Sequence, residues 1–199
     1  MPGKDANGNT WWDTDGYGYC DAQAVGAQGI GTGSFCPEID LIEANSYGFK
    51  ATPHRCDAPD SNGHYSACDG YGVDIDDALE FGSGAKDFGP GSDYNINTLK
   101  EFNYEVYFAE DNGNFVRMDI SVWQWNDEHQ SYNVTSISKD ISDYVDGYDL
   151  GQVLRDGLAI AVSSWSAPNT EWITHGRCSG ACDNPPPLFI KNIKIWTGN

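Results

Sequence analysis

Basic residues are scarce in this chain. Eleven Lys and Arg stand against thirty Asp and Glu, a formal charge of −19 over 199 residues. So acidic a surface repels a phosphate backbone and an anionic membrane, which argues against nucleic acid and membrane as partners. A neutral polysaccharide is indifferent to that charge. No stretch sustains a 3.6-residue apolar repeat, and no apolar run is long enough to span a bilayer. The opening Met1-Pro2-Gly3-Lys4-Asp5 lacks the apolar segment of a signal peptide. Paired CxxC knuckles of a zinc site are missing, and neither a metal nor another cofactor is expected. With no internal repeat and no linker, residues 1–199 read as a single domain able to bury a real core.

What is present points to an all-β chain. Aromatics make up 13% and there are 23 glycines, with turn signals throughout. Six cysteines fall in three local pairs, predicting disulfides Cys20–Cys36, Cys56–Cys68 and Cys178–Cys182. With the sequon Asn133-Val134-Thr135, they favour an oxidising, extracellular setting and a secreted protein.

Phe102, Tyr104, Val106 and Phe108 alternate with Asn103, Glu105, Tyr107 and Ala109, the pattern of a half-buried antiparallel strand. Asp111-Asn112-Gly113-Asn114 reads as a hairpin turn. The next strand takes Val116, Met118, Ile120 and Val122 inward and Trp123 and Trp125 outward. Those two Trp can stack on sugar rings or pack on a neighbouring loop. Val73 and Ile75 suggest a short strand. A short helix is expected around Gly151 to Arg155, a strand from Leu158 to Trp165, and a last strand from Leu188 to Trp196. Residues 44–70 read as a loop holding Thr52-Pro53-His54.

The chemistry is concentrated in Cys36-Pro37-Glu38-Ile39-Asp40-Leu41-Ile42-Glu43-Ala44-Asn45. Glu38 and Asp40 lie two apart and share one face of a strand. Strict alternation would send Glu43 into the core. A bulge at Leu41-Ile42 returns it to the carboxylate face, with Glu38 and Glu43 carboxyls then roughly 5–6 Å apart, the spacing of a retaining glycosidase. Three acids on a strand also suit a solvated edge or a cation site. Asp21 and Gln23, two apart beside aromatics, can hydrogen-bond sugar hydroxyls or sit in a solvated loop. His54 can fold back over the carboxylates or be merely structural.

Taken together, these pieces resemble glycoside hydrolase family seven, the fungal-type cellobiohydrolases and endoglucanases. The matching stretches are Gly18-Tyr19-Cys20-Asp21-Ala22-Gln23, Glu38 to Ser46, Thr52-Pro53-His54, Phe88-Gly89-Pro90-Gly91, Ser163-Ser164-Trp165, Arg177-Cys178 and Ile190 to Lys194. The Glu-x-Asp-x-x-Glu core alone is shared with the laminarinase-like family of the same clan. The resemblance implies a concanavalin A-like antiparallel β-sandwich or jelly roll. It implies Glu38 as nucleophile, Glu43 as acid/base, Asp40 as helper and His54 beside the site. Asp21, Gln23, Trp165, Trp172 and Arg177 take sugar-binding places. The activity implied is internal, retaining cleavage of β-1,4-glucan, with short loops favouring an open cleft. β-1,3 or mixed linkage, or a non-catalytic polysaccharide-binding protein on the same sandwich, are the alternatives. The resemblance covers only the second half of a typical member. A reduced sandwich, or one whose N-terminal strands come from a second polypeptide, is therefore expected.

Overall fold

The alternation of apolar residues builds the molecule. The computed structural model describes residues 19–26, 28–75, 86–148, 150–163, 170–174 and 189–196. Its largest sheet is an antiparallel meander of β5 (Asn103–Asp111), β6 (Asn114–Asn126) and β7 (Ser131–Asp140), in that order. Before it come β1 (Glu38–Asn45) and β2 (Gly48–His54), an antiparallel hairpin, and the two-residue strands β3 (Phe88–Gly89) and β4 (Ile96–Asn97), which pair in parallel. Three short helices follow: α1 (Ser142–Val145), α2 (Leu150–Asp156) and α3 (Glu171–Thr174).

The β5–β6 turn forms as its residues dictate. Asn112 and Gly113 both adopt positive φ, 51° and 82°, the backbone of a two-residue hairpin whose twist matches the strands. Met118, Ile120 and Val122 of β6 are buried as expected. Val116 is not. The register slips between Ala109 and Glu110, so Val116 becomes an extra residue and Phe115 takes the inward place. On the outer face, Trp125 lies edge-on to its cross-strand neighbour Tyr132 at 5.2 Å and donates to Asp127. It packs on its own sheet.

One core joins the two antiparallel units. Phe49 of β2 meets Phe88 at 5.2 Å and Tyr104 of β5 at 5.7 Å, all edge to face. Ala51, Ile75, Ile96, Met118, Ile120, Val122 and Ile137 complete this layer. Each fully buried large side chain contributes roughly 1.5–3 kcal/mol. The fold is an all-β sandwich.

Several expectations need correction. Residues 48–54 form β2, not part of a loop. Pro53, which cannot donate to a ladder, hid the strand. Residues 73–75 are not a regular strand, yet the N–H groups of Val73 and Ile75 bond to the carbonyls of Pro53 and Ala51, so they line the other edge of β2. Helix α2 lies where a helix was expected, whereas α3 was not foreseen. The described parts of the two C-terminal strands, 158–163 and 189–196, are not strands, and Ile160, Val162, Phe189, Ile193, Ile195 and Trp196 are each more than half exposed. Alternation needs a neighbouring edge to become a sheet, and among the described residues of these stretches only Leu158 makes a bridge. The Asn133 amide donates to the Asn95 carbonyl at 2.8 Å, so the sequon side chain is occupied in the fold.

Disulfides Cys20–Cys36 and Cys56–Cys68 form as predicted. Each should stabilise by ~2–4 kcal/mol through its closed loop. Cys178 and Cys182 lie outside the described residues, as do Trp165 and Arg177.

Candidate active site

The hairpin places the acids. Glu38 pairs with His54, Asp40 with Thr52, and Glu43 with Lys50. From Asp40 to Glu43 is three residues, while from Thr52 to Lys50 is two. Leu41 and Ile42 together face Ala51, the bulge that the acid spacing requires. The Leu41 carbonyl accepts the Tyr104 hydroxyl, which ties the bulge to the meander. Glu38, Asp40 and Glu43 therefore share a face with His54, Thr52 and Lys50. Ile39, Pro53 and Ala51 take the core side.

Each carboxyl has a distinct setting. The Glu38 Oε2 accepts the Ala22 N–H at 3.1 Å, a bond that the Cys20–Cys36 disulfide helps to position. Burial and the charge of Asp40 push Glu38 up to about 7, against the pull of that N–H. Burial, then Asp40 and Glu38, also raise Glu43 to about 7. No hydrogen bond reaches the Glu43 carboxyl from the described residues. Asp40 Oδ2 lies 3.0 Å from His54 Nε2, and His54 Nδ1 lies 2.8 Å from the Asp69 carbonyl. Burial opposes a charge on His54, but its bonds to Asp40 and Asp69 prevail and raise it to about 9.

Glu38, Asp40 and His54 each offer an atom within 4.8 Å of the others, a span that a small cation could bridge. However, His54 Nδ1 faces a carbonyl and Nε2 faces a carboxylate, both acceptors, so both ring nitrogens are placed to donate hydrogen bonds rather than to ligate. The trio suits proton and charge management better than ligation.

The turn of residues 69–72 backs His54. Asp69 Oδ1 accepts the N–H groups of Tyr71 and Gly72, and its Oδ2 accepts the Tyr144 hydroxyl at 3.0 Å. Gly72 has φ +63°, and a Cβ there would come within 2.8 Å of His54 Nδ1. Only glycine fits so close to the ring. Arg55, next along from His54, lies over the rings of Tyr144 and Tyr148 at 4.6 and 4.1 Å.

Of the sugar-binding candidates, Asp21 is buried, and its Oδ1 caps a turn by accepting the N–H groups of Gln23 and Val25. Gln23 is exposed and donates to the Gly70 carbonyl at 3.1 Å. Trp172 is partly exposed on α3, a helix that packs against β1 and β2. Residues not anticipated are Lys50, Asp69, Asp74, Tyr144 and Tyr19. Burial and the charges of Glu38 and Asp21 raise the Tyr19 phenol above its ordinary range. The cluster at Glu38 and Glu43 pointed to the strand, but nothing local marked these partners.

No protein-family model matches the chain. It is 30% identical to Endoglucanase EG-1 of Trichoderma longibrachiatum over 92% of this chain and 42% of that protein. It is 26% identical to Endoglucanase 1 of Humicola insolens, over 84% of this chain and 49% of the relative. With Endo-beta-1,4-glucanase celB of Aspergillus oryzae the identity is 27%, over 92% and 54%. These similarities bear out the resemblance to glycoside hydrolase family seven. The chain spans about half the length of the curated relatives it matches.

Proposed function

We propose that this chain, a relative of endoglucanases, carries the carboxylate machinery of a secreted glycoside hydrolase that cleaves β-1,4-glucan internally with retention. The observation that carries the reading is the asymmetry of two acids on one face. Glu38 accepts a backbone N–H, which pulls toward its ionised form although burial and Asp40 raise it to about 7 as they do Glu43. Glu43 has no such donor, and burial favours its protonated form. Retention requires that pair: an ionised carboxylate to attack the anomeric carbon and an acid to protonate the leaving oxygen.

In the first step Glu38 attacks and Glu43 gives its proton to the glycosidic oxygen. In the second, Glu43 accepts a proton from water as that water displaces the glycosyl group from Glu38. Asp40, held by His54, stands beside Glu38 and favours its protonated form, against the pull of the Ala22 N–H. Trp172 on α3, with Gln23 across the 69–72 turn, suits sugar contacts. Trp165 and Arg177 keep the sugar-binding roles that the resemblance implies. The neutral glucan is compatible with the acidic chain.

A second reading, a polysaccharide-binding protein or one part of an enzyme, is favoured by the exposed apolar residues of 158–163 and 189–196. On that reading a further β-strand polypeptide covers them. Proton NMR of the first-formed product from a soluble β-glucan tests the main reading. A β-anomer appearing first is expected. An α-anomer appearing first refutes retention, and no turnover by the disulfide-bonded chain favours the second reading.

A further inference from the structure

Lys50 is a buried lysine facing the acids. It sits opposite Glu43 in register, where cross-strand side chains stand about 4.5–5.5 Å apart at Cβ. An ammonium so placed would ordinarily turn to the nearest carboxylate, since a buried cation without a partner is costly. In this fold it has two choices. Glu43 is on β1, along one edge of β2. Asp74 is on the 73–75 segment, along the other edge. Lys50 pairs with Asp74. Asp74 is itself held in place. Thr52 Oγ1 donates to its second oxygen at 3.4 Å, Lys139 donates to its carbonyl, and the flanking Val73 and Ile75 are bonded to β2. Glu43 is left with no hydrogen bond from the described residues. The charges it feels are Asp40 and Glu38 on β1 and His54 on β2, with Lys50 the weakest of them, and helix α3, packed on β1 and β2, carries Glu171.

We propose that Asp74 is a positioning residue that holds the Lys50 ammonium on the far edge of β2, withholding a cation from Glu43 so that this carboxyl keeps the proton an acid needs. The inference rests on the reading of Glu43 as acid/base. The site thus places a lysine beside its acid and then restrains it. Losing the restraint would turn Lys50 into a salt-bridge partner that deprotonates the acid.

The test uses the whole chain with both described disulfides intact. Its two readouts are the basic limb of the kcat/KM profile on a soluble β-glucan and a carbon-13 titration of the Glu43 carboxyl. Asp74→Asn should move both midpoints down by about one pH unit, the effect of a cation brought within a few ångströms. Asp74→Asn combined with Lys50→Met should return them to or above the parent value, because the released charge is gone. A midpoint that Asp74→Asn leaves unmoved or raises, or that the double variant fails to restore, overturns the inference. Should Asp74→Asn not fold, Lys50→Met alone decides. It should leave the Glu43 midpoint within about half a pH unit, because the cation is already held away, and a fall or a rise of about one unit or more, the mark of a lysine that already pairs with Glu43, overturns the inference. The titration needs no turnover. A chain that shows these shifts without hydrolysing glucan loses the hydrolase reading and keeps the charge arrangement. A chain that hydrolyses glucan without the shifts loses only the inference.

Discussion

Two strands in this molecule carry one extra residue each, and the two bulges serve different ends. In β6 the surplus residue is Val116, and the slip brings Phe115 into the core. In β1 the surplus lies at Leu41-Ile42, and the slip brings Glu43 onto the face of Glu38 and Asp40. The device is the same because a one-residue slip inverts every side chain beyond it. What differs is the inverted side chain. One bulge completes packing and the other assembles charge against the preference of burial, as the raised protonation of Glu38 and Glu43 records. A bulge is therefore read by what stands beyond it.

Shifting the parity beyond the β1 bulge should break the comparison most widely. Deletion of Ile42 would not do so, because it removes the surplus residue and leaves Glu43 opposite Lys50 on the carboxylate face. Insertion of one residue between Ile42 and Glu43 would turn Glu43 toward the core, where it would be buried without a partner. Turnover on soluble β-glucan should then vanish. The direct substitutions calibrate that loss. Glu38→Gln should abolish turnover of every substrate, because no nucleophile remains. Glu43→Gln should cost about 10²- to 10⁴-fold on unactivated glucan and spare substrates whose leaving group needs no proton. If Glu43→Gln slowed activated and unactivated substrates equally, Glu43 would not be the acid.

The β6 bulge should respond in stability instead. Phe115→Ala removes a buried ring that meets Phe108 at 5.5 Å and should cost about 3–5 kcal/mol. Denaturant unfolding reads this cost, and the pH dependence of any turnover should stay unchanged. A moved pH profile would mean that the two bulges are coupled.

Part of this was legible before any coordinates. Asp111 to Asn114 could be read because Asn-Gly has few other uses between alternating strands. The β1 bulge could be read because three carboxylates on a strand make sense only if they share a face. The β6 bulge could not, since Phe115 and Val116 are both apolar and either suits the core. β2 was hidden by Pro53. Lys50, Asp69, Asp74 and Tyr144 are joined to the site by bonds reaching from fifteen to over seventy residues along the chain, and no local pattern announces such partners. The stretches 158–163 and 189–196 alternate as strands do, but a strand is a property of two segments, and alternation shows only one.

Acidity offers a finer separation. Glu38 and Glu43 hold their protons in the fold to about 7, against an ordinary 4.5, and His54 to about 9, against 6.5. The folded chain thus binds more protons than the unfolded one from about pH 4.5 to 9, and stability should fall as pH rises through that window. The part due to His54 is fully present below 6.5 and lost as pH passes about 9. Five carboxylates of the described residues, Asp69 and Asp119 among them, act in the opposite sense at lower pH. At Asp69 burial is overcome by the N–H groups of Tyr71 and Gly72, and at Asp119 the Arg117 guanidinium favours the ionised form, so both are held low. Protonating them should cost stability again. Calorimetry should find Tm highest near pH 4–5 and declining toward 9. Replacing Glu38 and Glu43 together by Gln should flatten the decline between 5 and 7. A Tm that climbs from pH 5 to 8 contradicts these proton affinities.

The smallest effect is expected where the two bulges are tied down. The Val116 carbonyl accepts the Ile141 N–H at 2.9 Å, a backbone bond that side-chain substitution at Ile141, proline aside, leaves in place. The Leu41 carbonyl depends on one hydroxyl, that of Tyr104. Tyr104→Phe removes it and keeps the ring against Phe49. Leu41 is partly exposed, so water can take the vacated position, and the net loss should be about 0.5–1.5 kcal/mol. Tm should drop by a few degrees, and turnover should change less than threefold, because the bulge is fixed mainly by the register on either side of it. A drop beyond tenfold, with Tm barely moved, would show that this hydroxyl holds the carboxylate face in its working geometry. The chemical bulge would then be the softer of the two, dependent on the meander for its shape.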